Sequence, residues 1–148
     1  MKNAFTVDLE DWFCSHNLLS AIRYEHWDRQ ESRVERNTYA LLDLLRKHKT
    51  EATFFVLGWI ADRFPGLVRA IYREGHEIAS HGYAHRQLMG LRPEEFRADV
   101  EHSMTAIEGA TGSRPNGYRA PAFSITEQTQ WALAVLQQLG FVPEPQAV

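Results

Sequence analysis

Short apolar runs alternate along the chain with stretches in which apolar residues recur every three or four positions, the two periods that separate strands from amphipathic helices. Ala4 to Asp8 predicts a first strand. After a polar, aromatic-rich stretch, Ser32-Arg33-Val34-Glu35 predicts a capping box opening a helix, with Val34, Thr38, Leu41, Leu42 and Leu45 at helical spacing. Lys47-His48-Lys49 ends that helix with positive charge, which complements its dipole. The continuous apolar run Ala52 to Leu57 suits a parallel strand covered on both faces. Leu67, Val68, Ile71 and Tyr72 predict a helical stripe stopping at Gly75, and His76 to Ser80 a third strand. Pro93, Glu94 and Glu95 open a helix carrying Phe96, Val100, Met104 and Ile107. Asn116 to Arg119 predicts a short fourth strand, and a last helix runs from near Thr126 through Trp131, Val135 and Leu139 to Gly140. Phe141-Val142 begins like a fifth strand that Pro143 and Pro145 forbid.

Four β–α pairs in succession imply one α/β unit, whose parallel strands either close into a barrel or lie in an open sheet. A length of 148 residues, with 44% hydrophobic and 24% charged, fits a single globular domain. Sixteen Lys plus Arg against 19 Asp plus Glu give a formal charge of −3, so no basic excess exists to neutralise nucleic acid. The single cysteine, Cys14, excludes an internal disulfide framework and a multi-cysteine zinc cage, and is expected to act as a small hydrophobe. Only five uncharged residues separate Lys2 from Asp8, too few for a signal peptide, and no run approaches the ~20 apolar residues of a membrane span. A cytoplasmic protein without a transmembrane segment is the expectation.

The polar residues that matter fall just after the strands. Asp8, Glu10 and Asp11 follow the first, His81 and His85 the third, and Arg119 the fourth, the end that carries chemistry in α/β barrels and open sheets alike. Imidazoles four residues apart share a face if His81 to His85 turns helically, so both can reach one metal ion. No Glu follows His81, which excludes the zincin protease motif. Two histidines and one carboxylate leave an open coordination position where a metal lowers the pKa of water, and a second carboxylate can take the proton. Strand alternation puts Asp8 and Glu10 on one side, with Asp11 in the loop; spacing alone leaves open which acid binds metal and which is the base. Arg119, beside Pro121, can hold a carboxylate with its guanidinium fork. Trp27, Trp59 and Trp131 are expected to pack in the interior, and His16 and His26 to lie at the surface.

Taken in order, these segments resemble the polysaccharide deacetylase, or NodB homology, family. Thr6-Val7-Asp8-Leu9-Glu10-Asp11-Trp12 resembles its Thr-Phe-Asp-Asp-Gly motif with the second half altered. His81 to His85 resembles its His-Ser/Thr-x-x-His, with Gly82 in place of the hydroxyl residue, and Arg119-Ala120-Pro121-Ala122-Phe123 matches Arg-x-Pro-x-Tyr/Phe. The altered opening is closest to the branch that includes exopolysaccharide-locus deacetylases and allantoinase-like proteins.

The resemblance implies a deformed (β/α) barrel of seven strands, of which residues 1–142 would supply four to five units, leaving 143–148 as a non-native tail. It implies hydrolysis of N-acetyl groups on a polysaccharide, with a divalent ion, zinc before others, held by His81, His85 and either Glu10 or Asp11. Asp8 would be the catalytic base, Arg119 would orient it, the backbone N–H of Phe123 would steady the oxyanion, and Trp12, beside the acids, would stack on a sugar with Pro121 as a second substrate-side residue. The family's later motifs, which supply a histidine acid for the leaving amine, have no counterpart after Gly140. Two alternatives stand beside this reading: an amidohydrolase acting on a small ureide, and a truncated remnant that binds carbohydrate without turnover.

Overall fold

The computed structural model describes residues 4–141. Its sheet has three parallel strands, β1 (Thr6–Leu9), β2 (Thr53–Val56) and β3 (Glu77–Ser80), in that spatial order. Parallel neighbours need crossovers. Three 3-10 turns and α1 (Val34–His48) lead from β1 to β2, and α2 (Gly58–Arg63) with α3 (Pro65–Arg73) leads from β2 to β3. After β3 come α4 (Pro93–Thr111) and α5 (Trp131–Gln138). Pro65 at the start of α3 explains why one helical stretch is divided in two: it cannot continue the amide ladder, and Phe64 before it leaves helical geometry at φ −127°, ψ 57°.

The register pairs Thr6 with Thr53 and Thr53 with Glu77, so alternate residues share a sheet face across all three strands. On one face Leu9, Phe54, Val56 and Ile78 pack against Leu42 and Leu45 of α1, Val68 and Ile71 of α3, and Ile107 of α4. The other face carries Thr6, Asp8, Thr53 and Phe55, and among the described residues it is only partly covered, with Thr53 and Phe55 half-buried. The expectation that β2 is covered on both faces is therefore met on the helical face only. A second cluster joins Phe96, Val100 and Met104 of α4 to Ala132, Val135 and Leu136 of α5, closed by Leu139 and Phe141.

The predicted capping box at Ser32 does not form. The residue before α1 is Arg33, with no side-chain cap of its own. The cap comes from Asp11, just past β1: its carboxylate accepts from Ser32 Oγ (2.6 Å), the amides of Arg33 (3.0 Å) and Val34 (3.3 Å), and Trp12 N (2.9 Å). A carboxylate is a stronger acceptor than a hydroxyl and suits the positive end of the helix dipole, so it outcompetes Ser32, which becomes a donor to it.

The fourth strand is also less than predicted. Asn116 to Arg119 is reduced to one bridge, Ser80 to Tyr118, made by Ser80 N to Gly117 O (2.8 Å) and Arg119 N to Ser80 O (2.9 Å). Pro115 and Pro121 bracket the segment and offer no amide to extend a ladder. Phe141 does not start a strand; its amide bonds to Leu136 O and its ring is buried in the second cluster. Val142 and residues 143–148 lie outside the described residues.

Trp27 and Trp59 are buried with Phe13 in an aromatic group in which Trp59 meets the other two rings edge-on, Trp131 is half-buried against Phe96, Cys14 is fully buried, and His16 and His26 are exposed. Among the described residues no helix is long and apolar enough to cross a membrane. At the start of α2, a Cβ on Gly58 would stand 2.5 Å from the Tyr83 ring and 2.7 Å from the Ser103 backbone. Only a glycine lets α2, α4 and Tyr83 meet here.

Two stability outcomes follow from these contacts. Asp11→Ala leaves buried amides without an acceptor and should cost on the order of 2–3 kcal/mol, read as a lower urea midpoint. Gly58→Ala, although alanine is the better helix former, should destabilise by about 1–3 kcal/mol through overlap at Tyr83 and Ser103; an unchanged or raised midpoint would contradict that packing.

Candidate active site

Thr6, Asp8 and Glu10 project from the same side of β1 and its extension, because they are spaced by two along an extended backbone. Arg119 reaches them from the far edge of the sheet. Its Nη1 donates to Asp8 Oδ1 at 2.7 Å, its Nη2 donates to Thr6 Oγ1 at 3.1 Å, and its guanidinium lies over the Phe55 ring at 3.9 Å. Phe55 is the register partner of Asp8, so the strand pairing itself puts the ring beneath the ion pair. The second oxygen, Asp8 Oδ2, faces His81 Nε2 at 3.9 Å.

His81 follows β3 directly and is held by its backbone and by its ring. Its amide donates to Val56 O at 2.9 Å, and Nδ1 donates to Arg119 O at 2.8 Å. With the proton on Nδ1, the lone pair of Nε2 is left facing the acids. His85 comes back beside it, with the two rings 5.2 Å apart. Between them, Gly82 takes φ +75° and His85 φ +53°. These left-handed conformations replace the helical turn that the spacing suggested and still bring the imidazoles together. His85 Nε2 lies 3.3 Å from Glu10 Oε2, and Glu10, His81 and His85 each offer a ligand atom within 4.8 Å of the others.

The structure separates the two acids that spacing left equivalent. Glu10 stands with the histidines, whereas Asp11 is engaged as the cap of α1 and is not in the cluster. Trp12 is exposed above the acids, its indole N–H donating to Glu31 O at 2.9 Å and its ring lying beneath the Arg33 guanidinium. Trp12, Arg33, Asp8, Glu10 and Asn37 line a cavity of about 300 Å³. Pro121 is buried, and after it Ala122 and Phe123 adopt φ of 51° and 53°, uncommon for residues with a Cβ. The Phe123 side chain is 91% exposed.

Burial sets the charge state of this cluster. It pushes the Glu10 carboxyl up to about 7, with the negative Asp8 nearby adding to the effect. It pushes the His85 imidazole down to about 4, with His81 adding to the effect, and it lowers His81 as well. Near neutrality both rings are therefore uncharged and offer lone pairs. Among the described residues Glu10 Oε2 and His85 Nδ1 are buried without a hydrogen-bond partner, an arrangement that costs about 1–3 kcal/mol per group when nothing answers it. Once Glu10 loses its proton, its carboxylate stands 3.3 Å from Nε2 of the neutral His85 ring, and a divalent cation is the species whose charge suits a carboxylate beside two imidazoles.

Three partners of the site were not singled out from the sequence: Phe55 beneath Arg119, Thr6 beside it, and the carbonyl of Arg119 on His81. The first two were findable in principle, since parallel register places Thr6, Asp8 and Phe55 on one face. The carbonyl contact depends on a bridge between segments 38 residues apart and leaves no trace in residue type.

The sequence profile of the polysaccharide deacetylase family matches residues 25–143. A peptidoglycan-N-acetylglucosamine deacetylase from Bacillus cereus is 36% identical over 96 residues, 64% of this chain and 35% of its own length. Chitin deacetylase 1 from Cryptococcus neoformans is 31% identical over 106 residues, 72% of this chain and 22% of its own. Among solved structures, a candidate polysaccharide deacetylase from Mycobacterium smegmatis superposes with a TM-score of 0.76 at 33% identity, covering 93% of this chain and 48% of that one. A family 4 carbohydrate esterase from Streptomyces lividans in complex with acetate gives 0.65 at 31% identity, over 71% and 53%. The chain thus spans about a third or less of the length of these curated relatives. With most of its length matched by the family profile, the chain belongs to the polysaccharide deacetylase family.

Proposed function

We propose that this chain carries the metal-binding part of an enzyme that hydrolyses N-acetyl groups on a carbohydrate polymer, with β1 to β3 forming part of a deformed (β/α) barrel. The observation that carries the reading is the convergence of Glu10, His81 and His85 within 4.8 Å, beside a carboxylate, Asp8, gripped by Arg119. Glu10, His81 and His85 would hold the divalent ion, zinc before others, since imidazole and carboxylate donors without thiolate suit it. Such an ion supplies Lewis acidity, lowering the pKa of water and polarising an acetamide carbonyl.

The chain's own residues do the rest. Asp8 takes the proton of the attacking water at Oδ2, the oxygen that Arg119 leaves free, and Arg119 with Thr6 fixes the carboxylate's rotation. The proton on His81 Nδ1, donated to the Arg119 carbonyl, keeps Nε2 available as a ligand. The Phe123 amide, in its left-handed turn, donates to the oxyanion that develops on the acetamide. Trp12 offers an aromatic face for a sugar ring, its indole N–H already satisfied by Glu31 O. Named relatives that act on peptidoglycan and chitin support a β-linked N-acetylglucosamine polymer as the first substrate to test.

Zinc titration by calorimetry should give one ion per chain, and His81→Ala with His85→Ala should abolish it while far-UV circular dichroism is retained. Binding should weaken below about pH 7, by up to tenfold per pH unit for the one proton that Glu10 must release, and Glu10→Gln should weaken binding and flatten that dependence. In the zinc-loaded chain, acetate released from N-acetylglucosamine oligomers should fall by about 10²–10⁴ in Asp8→Asn. Release equal in Asp8→Asn and wild type would remove Asp8 from its role, and a folded wild-type chain that takes up no zinc would end the metal reading.

A further inference from the structure

The segment from His81 to His85 has too few residues to hold itself in shape, and neighbouring elements fix it from two sides. On the carbonyl side, the first amides of α2 are the donors: Gly58 N to Gly82 O at 2.8 Å and Trp59 N to Tyr83 O at 3.1 Å. On the amide side, Tyr83 N donates to Asp99 Oδ2 of α4 at 2.9 Å, and Gly82 N to Ser80 Oγ at 3.2 Å, which itself bonds Ser103 Oγ at 2.8 Å. Asp99 is half-buried. Burial pushes its carboxyl upward, while the amides of Tyr83 and Ala84 act in the opposite direction, favouring the ionised acceptor.

The space Asp99 occupies exists because residue 82 has no side chain. A Cβ there would stand 2.9 Å from Asp99 Oδ2, closer than such contacts allow, and the φ of +75° would strain any other residue as well. A side chain at 82 would force the Asp99 carboxylate or the turn to shift.

We propose that Asp99 is a positioning residue for the histidine pair, holding the 82–84 turn by its amides, and that Gly82 is the residue that admits it. This rests on the metal reading above but is separable from it. Asp99 is outside the cluster of Glu10, His81 and His85, so its effect runs through the backbone of the turn. Asparagine at 99 keeps an oxygen acceptor for Tyr83 N, whereas leucine keeps the branching at Cγ and removes the acceptor.

The test uses the full chain and two readouts, amide hydrogen exchange at Tyr83 and titration with cobalt(II), whose visible spectrum reports ligand geometry. In wild type the Tyr83 amide should be protected. Asp99→Leu should speed its exchange at least tenfold and weaken cobalt binding about 10–100-fold with an altered spectrum, as loss of an outer-shell support typically does. Asp99→Asn should lie nearer wild type on both. Gly82→Ala should weaken cobalt binding, and adding Asp99→Ala to it should cost less than the two separate losses multiplied. Protection and cobalt affinity unchanged in Asp99→Leu would overturn the proposal, as would full multiplicativity in the double variant. Should wild type take up no cobalt or zinc, the metal reading falls, and exchange at Tyr83 alone still decides whether Asp99 holds the turn. An Asp99→Leu chain that does not fold shifts the decision to Asp99→Asn and the Gly82 pair.

Discussion

The arrangement depends on desolvation. His81 and His85 are almost completely buried, and Glu10 reaches them from the end of β1 with one oxygen that meets no donor among the described residues. Water would dissolve such a cluster by giving each group its own partner. Its exclusion keeps both imidazoles neutral and leaves Glu10 reluctant to ionise, so three potential ligands stay aimed at one point instead of pairing among themselves. The fold is built to maintain that condition. Three parallel strands end side by side, which gathers residues 8–10, 81–85 and 119 at one rim despite their separation in sequence.

The helices contribute more than cover. The N-terminus of α1 is tied to the segment after β1 by the Asp11 carboxylate, and the N-terminus of α2 is tied to the segment after β3 by two amide bonds. In both places, unsatisfied donors at a helix start bond to the backbone or side chain of a neighbouring loop, and the loop gains a fixed position. Neighbouring acids in sequence thus part company: Glu10 belongs to the histidines and Asp11 to the helix.

Much of this was legible from residue types. The α/β alternation, the helix ends at Lys49, Gly75 and Gly140, and the packing tryptophans follow from periodicity and turn chemistry, and the structure carries them with positive φ at Lys49, Gly75 and Gly140. What was not legible involves competition between distant partners. Ser32 looked like a cap because nothing in the sequence says that Asp11 would arrive first. Asn116 to Arg119 looked like a strand because alternation cannot register that two prolines deny it a ladder. The choice between Glu10 and Asp11 required knowing where β1 ends, a matter of one residue. Asp99 was invisible altogether, since an acid on a helix ordinarily faces solvent.

Arg119 contributes to the rim twice, by different atoms. Its guanidinium grips Asp8 and Thr6, while its main-chain oxygen accepts the hydrogen bond from His81 Nδ1. Only the first of these can be edited by changing the codon, because every amino acid brings a carbonyl. A mutational scan would accordingly score position 119 by its grip on the acid alone, and the tautomer of the imidazole would persist unseen in every variant that kept the local chain path.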